Sequence, residues 1–279
     1  MNARKTLIAA AEIRKLTIQA MEAAGYGHIG GSMSICELLA VLYTDILNID
    51  PADPNKRDRD WLVLSKGHCG PALYAALAHK GFFDKSELKT LNANGTRLPS
   101  HCDRLKTRGI DISTGSLGQG ISLASGVAMG NRMQGIGSAV YVIAGDGELQ
   151  EGQNWEAVQF AAHWKLDNLA IIVDNNRRQL DGYTAGICEP FSLRDKFTAF
   201  GLYALEADGH DVRAIYEALS DARASQKPSA VILNTEKGRG CNFAEIDGFN
   251  HYMTVSHEMT ESALAEIDRR LSIELAAAS

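Results

Sequence analysis

Short apolar segments alternate with helical stretches along this chain, and that alternation restricts the fold more than any other feature. The apolar pieces are WLVLSKGH at 61–68, AVYVIA at 139–144, LAIIVDNN at 169–176, a short run at 202–206 and SAVILNTEKG at 229–238. Helical patterns lie between them, at 118–133, 149–164 and 212–225. Strand and helix in turn, joined by short connections, predict an α/β fold: a parallel sheet with helices on both faces. Ligands of such sheets bind beyond the carboxyl ends of the strands. Clusters of polar residues stand there, at 65–68, 145–151, 174–176 and 237–240.

The segment from Ala3 to Ala24 has apolar residues near helical spacing and runs into the glycine-rich GYGHIGGS. Ser34 is expected to cap a second helix whose apolar face is Ile35, Leu38, Leu39, Leu42 and Ile46. No repeat or low-complexity linker divides the 279 residues, so a single domain over 1–279 is expected. The formal charge of -6, with no basic cluster beyond KRDR at 56–59, argues against nucleic acid or an anionic membrane as partner. Nowhere do eighteen apolar residues run together, and the N-terminus has no long apolar core, which reads as a cytoplasmic protein.

Five widely spaced cysteines without a CxxC pair argue against a disulfide framework. The dipeptides His68-Cys69 and His101-Cys102 do not have the looped spacing of structural zinc sites. Small buried cysteines account for them better.

GDGELQEG at 145–152 follows the run AVYVIA directly. Glycines on both sides of Asp146 permit a sharp turn and close approach of a ligand, and the carboxylate is a hard oxygen donor suited to Mg²⁺ or Ca²⁺. Twenty-seven residues separate Gly147 from Asn175, enough for one helix and the next strand. Asp146 and the Asn175-Asn176 pair therefore end neighbouring strands. One carboxylate and one amide are too few for an all-protein cage, but Mg²⁺ commonly completes its shell with substrate phosphates and water. The expected ligand is a magnesium-bridged diphosphate. GSLGQG at 115–120 lacks the GxGxxG order of a dinucleotide fingerprint, and no GxxxxGK[ST] occurs.

GDG followed by twenty-seven residues and NN resembles the thiamin diphosphate motif. The chain as a whole is similar to the N-terminal, diphosphate-binding part of transketolase. SKGHCGPALYAAL at 65–77 resembles that family's SxGHxxxALY, TGSLGQG at 114–120 its TGPLGQG, GDGELQEG its GDGxxxEG, and VDNNRRQLDG at 173–182 its DxNxxxxDG. The resemblance implies that Asp146, the Asn176 side chain and the Arg178 carbonyl hold Mg²⁺, with Ca²⁺ as a possible substitute. It implies that Gly147 and His68 meet the diphosphate, that Gly115 and Leu117 meet the aminopyrimidine, and that Glu151 joins a network across a subunit interface. His28, His101 and His251 take the places of the substrate-site histidines. For His79, His163, His210 and His257 a structural or solvated role is expected.

The activity so implied is two-carbon ketol transfer from a ketose to an aldose. The family's pyrimidine-binding and C-terminal domains have no counterpart in 1–279, so a partner chain is expected to supply them, in an assembly with two copies of each. Alone, the polypeptide is expected to be inactive. SHEMTESALAEIDRRLSIELAAAS reads as a finished amphipathic helix, which favours a natural subunit over a fragment. GHIGGSMS, SHCDR, Tyr252 after His251 and Arg108 in KTRGID depart from the family's usual residues, which leaves the ketose open and makes Arg108 a candidate contact for an acidic group. The alternatives are a deoxyxylulose phosphate synthase-like enzyme, one chain of a 2-oxo acid dehydrogenase, a non-catalytic regulatory module of the same fold, or a magnesium-dependent phosphohydrolase. The last is disfavoured by the lack of further carboxylates expected at the strand ends.

Overall fold

The computed structural model describes residues 1–246 and 250–277. Five strands form one parallel sheet: β1 (Trp61–Leu64), β2 (Val140–Gly145), β3 (Leu169–Asn175), β4 (Tyr203–Asp208) and β5 (Ser229–Asn234), in the order β1-β2-β3-β5-β4. The α/β architecture with helices on both faces is thus as the alternation predicts.

Period-two side-chain alternation sorts the strand residues into two cores. Leu62, Leu64, Tyr141, Ile143, Ile172, Val231 and Leu233 join the core that includes helices Ala3–Ala24, Gly70–Lys80 and Val212–Ala224. Val63, Val142, Ala144, Ile171, Val173 and Ile232 join the other, under Gln119–Met133, Gly152–His163 and Leu193–Ala199. Strands buried on both faces explain why the sequence shows continuous apolar runs there.

The first helix spans Ala3–Ala24: Asn2 caps its start by accepting from Lys5 N, and Gly25 ends it in the left-handed region at φ 82°. The expected cap at Ser34 is not formed. Ser34 instead ends a short helix, Ile29–Met33; the helix after it, Cys36–Val41, follows Ile35 and has no side-chain cap, and the Ser34 hydroxyl lies 2.7 Å from Asp174 Oδ2 and 3.0 Å from Gly31 O. A buried carboxylate holds that hydroxyl more strongly than a helix terminus would.

One element carries no periodic signal in the sequence. Tyr26–Gly27 pairs antiparallel with Met253–Thr254, joining the end of the first helix to a segment more than two hundred residues later. All five cysteines are free, and four are buried. Among the described residues no helix is long and apolar enough to cross a membrane.

Candidate functional site

The register of β2 on β3 sets Gly145 opposite Asp174, and Asp146 N donates to Asp174 O at 3.2 Å. Asp146 therefore lies at the carboxyl edge beside the end of β3, where the spacing of GDG and NN predicts it. It is 2% exposed. Burial, and then the neighbouring Asp174, push its carboxyl up to about 7. No lysine or arginine forms a salt bridge with it among the described residues. A carboxylate so desolvated is poised for a cation.

Asn176 brings an amide oxygen to the same edge. Its Nδ2 donates to Asp174 Oδ2 at 2.8 Å, and its Oδ1 accepts from Arg178 N at 3.0 Å. Asn175 turns the other way, to Asn234 Oδ1 at 2.8 Å. Arg177, between these groups, is in the left-handed region at φ 61°, uncommon for a residue with a Cβ. The loop closes through Gln179 N to Gly182 O, 2.8 Å. Its approach to the GDG turn is close: a Cβ on Gly147 would come 2.8 Å from Gln179 Cβ.

Beneath these groups lies a layer of buried charge whose roles the sequence did not reveal. Asp174, wholly buried, accepts from Lys66 Nζ, the Ser34 hydroxyl, Asn176 Nδ2 and the Thr235 hydroxyl. Burial alone would raise its pKa, but Lys66 and these donors bring the balance below the ordinary value. Lys66 also donates to Gly31 O at 3.0 Å. Glu148 Oε1 accepts from Gly118 N at 2.9 Å and from the Ser65 hydroxyl, and its Oε2 accepts from Gly145 N at 3.0 Å. This carboxylate ties the 115–118 loop to the ends of β1 and β2. Two further carboxylates thus do stand at the strand ends, contrary to the sequence reading, but both are consumed by internal hydrogen bonds. That disposes of the phosphohydrolase for the reason that matters chemically, since neither is free to take a second metal.

The histidines form the upper layer. The His28 ring lies 5.3 Å from His68, 5.7 Å from His101 and 5.3 Å from His251, and His68 lies 4.9 Å from His251, centroid to centroid. Burial, then His101 and Lys237, lower His28 to about 4. Burial, then Lys237 and His28, lower His251 to about 4. Burial lowers His101, and burial with Lys66 and the other rings holds His68 well below its ordinary value. All four are neutral at pH 7, each able to donate one hydrogen bond and accept another.

Lys237 joins the two layers. Its Nζ donates to Gln179 O at 3.2 Å and meets His251 Nδ1 at 3.3 Å. An ammonium only donates, so Nδ1 accepts and the His251 proton resides on Nε2. Burial, then Lys66, lower Lys237 to about 8.

The remaining expected residues cluster nearby. Gly115 has φ 148°, and a Cβ there would come 3.0 Å from His101 Cδ2. Leu117 is exposed, as is Glu151, whose Cβ would lie 2.8 Å from a Cβ built on Gly118. Arg108 is exposed, and its Nη2 donates to Pro51 O at 2.7 Å. His210 is structural, bridging Glu37 Oε2 at 3.3 Å and Glu236 N at 2.8 Å.

The donor set fits a hard divalent cation with an anionic ligand: one carboxylate, one amide oxygen and the adjoining loop carbonyl. Among the described residues no group of three or more His, Cys, Asp or Glu side chains is arranged for a metal, so a soft or all-side-chain site is not the alternative. Gly115 and Gly147 are packed so closely against His101 and Gln179 that a side chain at either position would collide with the loops that flank this edge.

A parallel sheet with oxygen donors at its carboxyl edge and neutral imidazoles above them defines a cofactor-binding α/β domain. Comparison with known proteins makes the class specific. The chain belongs to the transketolase family, its residues 5–262 matching the family described as transketolase, thiamine diphosphate binding domain. It is 50% identical to a 6-deoxy-6-sulfo-D-fructose transketolase subunit of Clostridium sp. (strain MSTE9), over 92% of this chain and 94% of that one. It is 38% identical to an apulose-4-phosphate transketolase subunit of Actinobacillus succinogenes, over 91% and 92%. The transketolase crystal structure from Campylobacter jejuni superposes with a TM-score of 0.90 at 29% identity, over 99% of this chain but only 46% of that one.

Proposed function

We propose that this chain is the diphosphate-binding subunit of a split transketolase, with 1–279 acting as one domain in the cytoplasm and a second polypeptide completing the site. Ketol transfer follows from its family, and the subunit organisation is supported by near full-length similarity to separately named transketolase subunits. Leu117, Leu123, Phe160 and Trp164 stay exposed, apolar side chains available to such a partner. Two copies of each chain are the expected assembly.

Thiamin diphosphate, when bound, supplies the electron sink for cleaving and remaking the carbon–carbon bond. Asp146, the Asn176 amide oxygen and the Arg178 carbonyl would hold Mg²⁺, with Gly147 and His68 at the diphosphate and Gly115 and Leu117 at the aminopyrimidine. The chain's own part is orientation and hydrogen bonding. His28, His101 and His251 offer neutral N–H groups to ketose hydroxyls and to the oxygen on which negative charge develops. Their low pKa values keep them from being fixed as cations, so each can both donate and accept.

For the ketose we propose 6-deoxy-6-sulfo-D-fructose. The single observation behind it is 50% identity across 94% of a subunit so named, against 38% for the apulose-4-phosphate relative. The test mixes this chain with the polypeptide encoded beside it, adds thiamin diphosphate and Mg²⁺, and compares the two ketoses with one aldose acceptor. Preference for the sulfonated ketose is expected; equal or better use of apulose 4-phosphate refutes that assignment, and no turnover of any ketose refutes the split enzyme with that partner.

A further inference from the structure

At the opposite, amino-terminal edge of the sheet, a cavity of about 290 Å³ opens among Arg132, Tyr141, Asp167, Asn168, Arg223 and Ser229. Tyr141 is 2% exposed, and its hydroxyl, though near the Arg223 guanidinium, makes no well-formed hydrogen bond. Asn168 Oδ1, on the same wall, is also buried and unpaired. So are Ser138 Oγ and Asn131 Nδ2, each adjacent in sequence to lining residues. Seven such atoms occur among the described residues; two of them, Tyr141 Oη and Asn168 Oδ1, belong to residues that line this cavity, and two more belong to residues next to the lining in sequence. Buried polar atoms normally have partners, so a cluster without them around one hollow marks a place where something else supplies the bonds.

The chemistry of that occupant follows from the lining. Two guanidiniums, Arg132 and Arg223, face a single lining carboxylate, Asp167. Arg132 uses only Nη1, on the carbonyls of Trp164 and Lys165, at 2.6 and 3.0 Å. Arg223 is held loosely, 3.8 Å from Asp60. Asp60, the second carboxylate near Arg223, is not on the lining and already accepts from Asn48 N and Ala139 N at 2.9 and 2.8 Å, so N–H donors of both guanidiniums remain for an occupant. Ile136, Leu169, Ala170 and Ala222 add apolar surface, which suits a carbon skeleton. Ligand pockets run upward from about 300 Å³, so the occupant is small.

We propose that this cavity is a second ligand site for a small organic anion of monophosphate size, its oxygens taking the Arg132 and Arg223 guanidiniums and the Tyr141 hydroxyl. The site lies at the starts of β2, β3 and β5, whereas the histidines and Asp146 lie past the strands' other ends. It can therefore be filled without competing for the ketose.

Calorimetric titration of the assembled two-chain enzyme with glycerol 3-phosphate, and separately with inorganic phosphate, tests this. Saturable binding is expected in the parent, weakened about tenfold or more in Arg223→Gln through loss of a charge-assisted bond. Tyr141→Phe, which keeps the ring and its packing, should weaken binding by a few-fold, and ketose turnover should be unchanged in both variants. Equal affinity in the parent and Arg223→Gln would assign binding to the catalytic edge and overturn the proposal. So would the absence of saturable binding of either probe up to about 10 mM, which would leave a water-filled hollow.

Discussion

Asn176 and Asp174 are locked amide to carboxylate, Nδ2 to Oδ2 at 2.8 Å, which turns Oδ1 of Asn176 away from Asp174 and toward Arg178 N. The same carboxylate neutralises Lys66, itself 2% exposed. Asp174→Asn should strand the lysine charge in the interior and destabilise the chain by about 3–5 kcal/mol. Thr235→Val, which removes one neutral donor, should cost only about 1 kcal/mol. Urea unfolding of the two variants beside the parent reads both values, and equal losses would contradict the central place given to Asp174.

Asp146 separates function from stability. Burial and Asp174 hold its carboxyl near 7, so ionising it works against the fold in the absence of a cation. Asp146→Asn should abolish magnesium-dependent thiamin diphosphate binding in the assembled enzyme. Without ligands at pH 8, its melting temperature should match or exceed that of the parent. Calorimetry and a thermal melt check the two halves independently.

The histidine cluster should make the fold acid-sensitive. An unfolded histidine titrates near about 6.5, whereas His28 and His251 titrate at about 4 in the fold. Between these values the unfolded chain binds more protons, so stability falls as pH falls through that window and is level above it. Melting temperature against pH should flatten there in the His28→Asn, His251→Asn double variant. An unchanged slope would mean that other groups dominate acid unfolding.

Gly120 begins the close approach of Gln119–Met133 to the end of β1. A Cβ there would collide with Ser65 Oγ and lie 2.7 Å from Ser65 Cα, and the backbone atom has little freedom to retreat. Gly120→Ala should destabilise by about 1–3 kcal/mol through overpacking, despite alanine's better helix propensity. Denaturant midpoints decide it, and a stabilised variant would show that the helix shifts freely.

Glu151 is exposed, and no hydrogen bond or salt bridge of its carboxylate is found among the described residues. Glu151→Ala should leave the isolated chain's melting temperature within about 1 °C of the parent, as for an ordinary surface change. Association with the partner chain should weaken measurably in sedimentation velocity. A large drop in the isolated chain's stability would assign Glu151 to this chain's own fold instead.

Much of the fold is legible locally. The apolar runs at 139–144 and 169–176 set β2 and β3 to within a residue or two, and the GDG-to-NN interval brings Asp146 beside Asn176 because one helix and one strand take up that length. Ser34 looks like a helix cap in the sequence, but its hydroxyl is claimed by Asp174, one hundred and forty residues away.

The sequence by itself determined the layered parallel sheet, the edge where ligands meet it and the oxygen donors at that edge, because burial periodicity and glycine turns act over a few residues. Only the tertiary structure decided what lies around those donors. The ribbon of Tyr26–Gly27 with Met253–Thr254 brings His28 against His251, and packing of β1 on β2 slides Lys66 under Asp146 and Asp174. Those pairings join residues remote in the chain, and their shifted protonation comes from shared burial, a property of the folded interior that no local stretch contains.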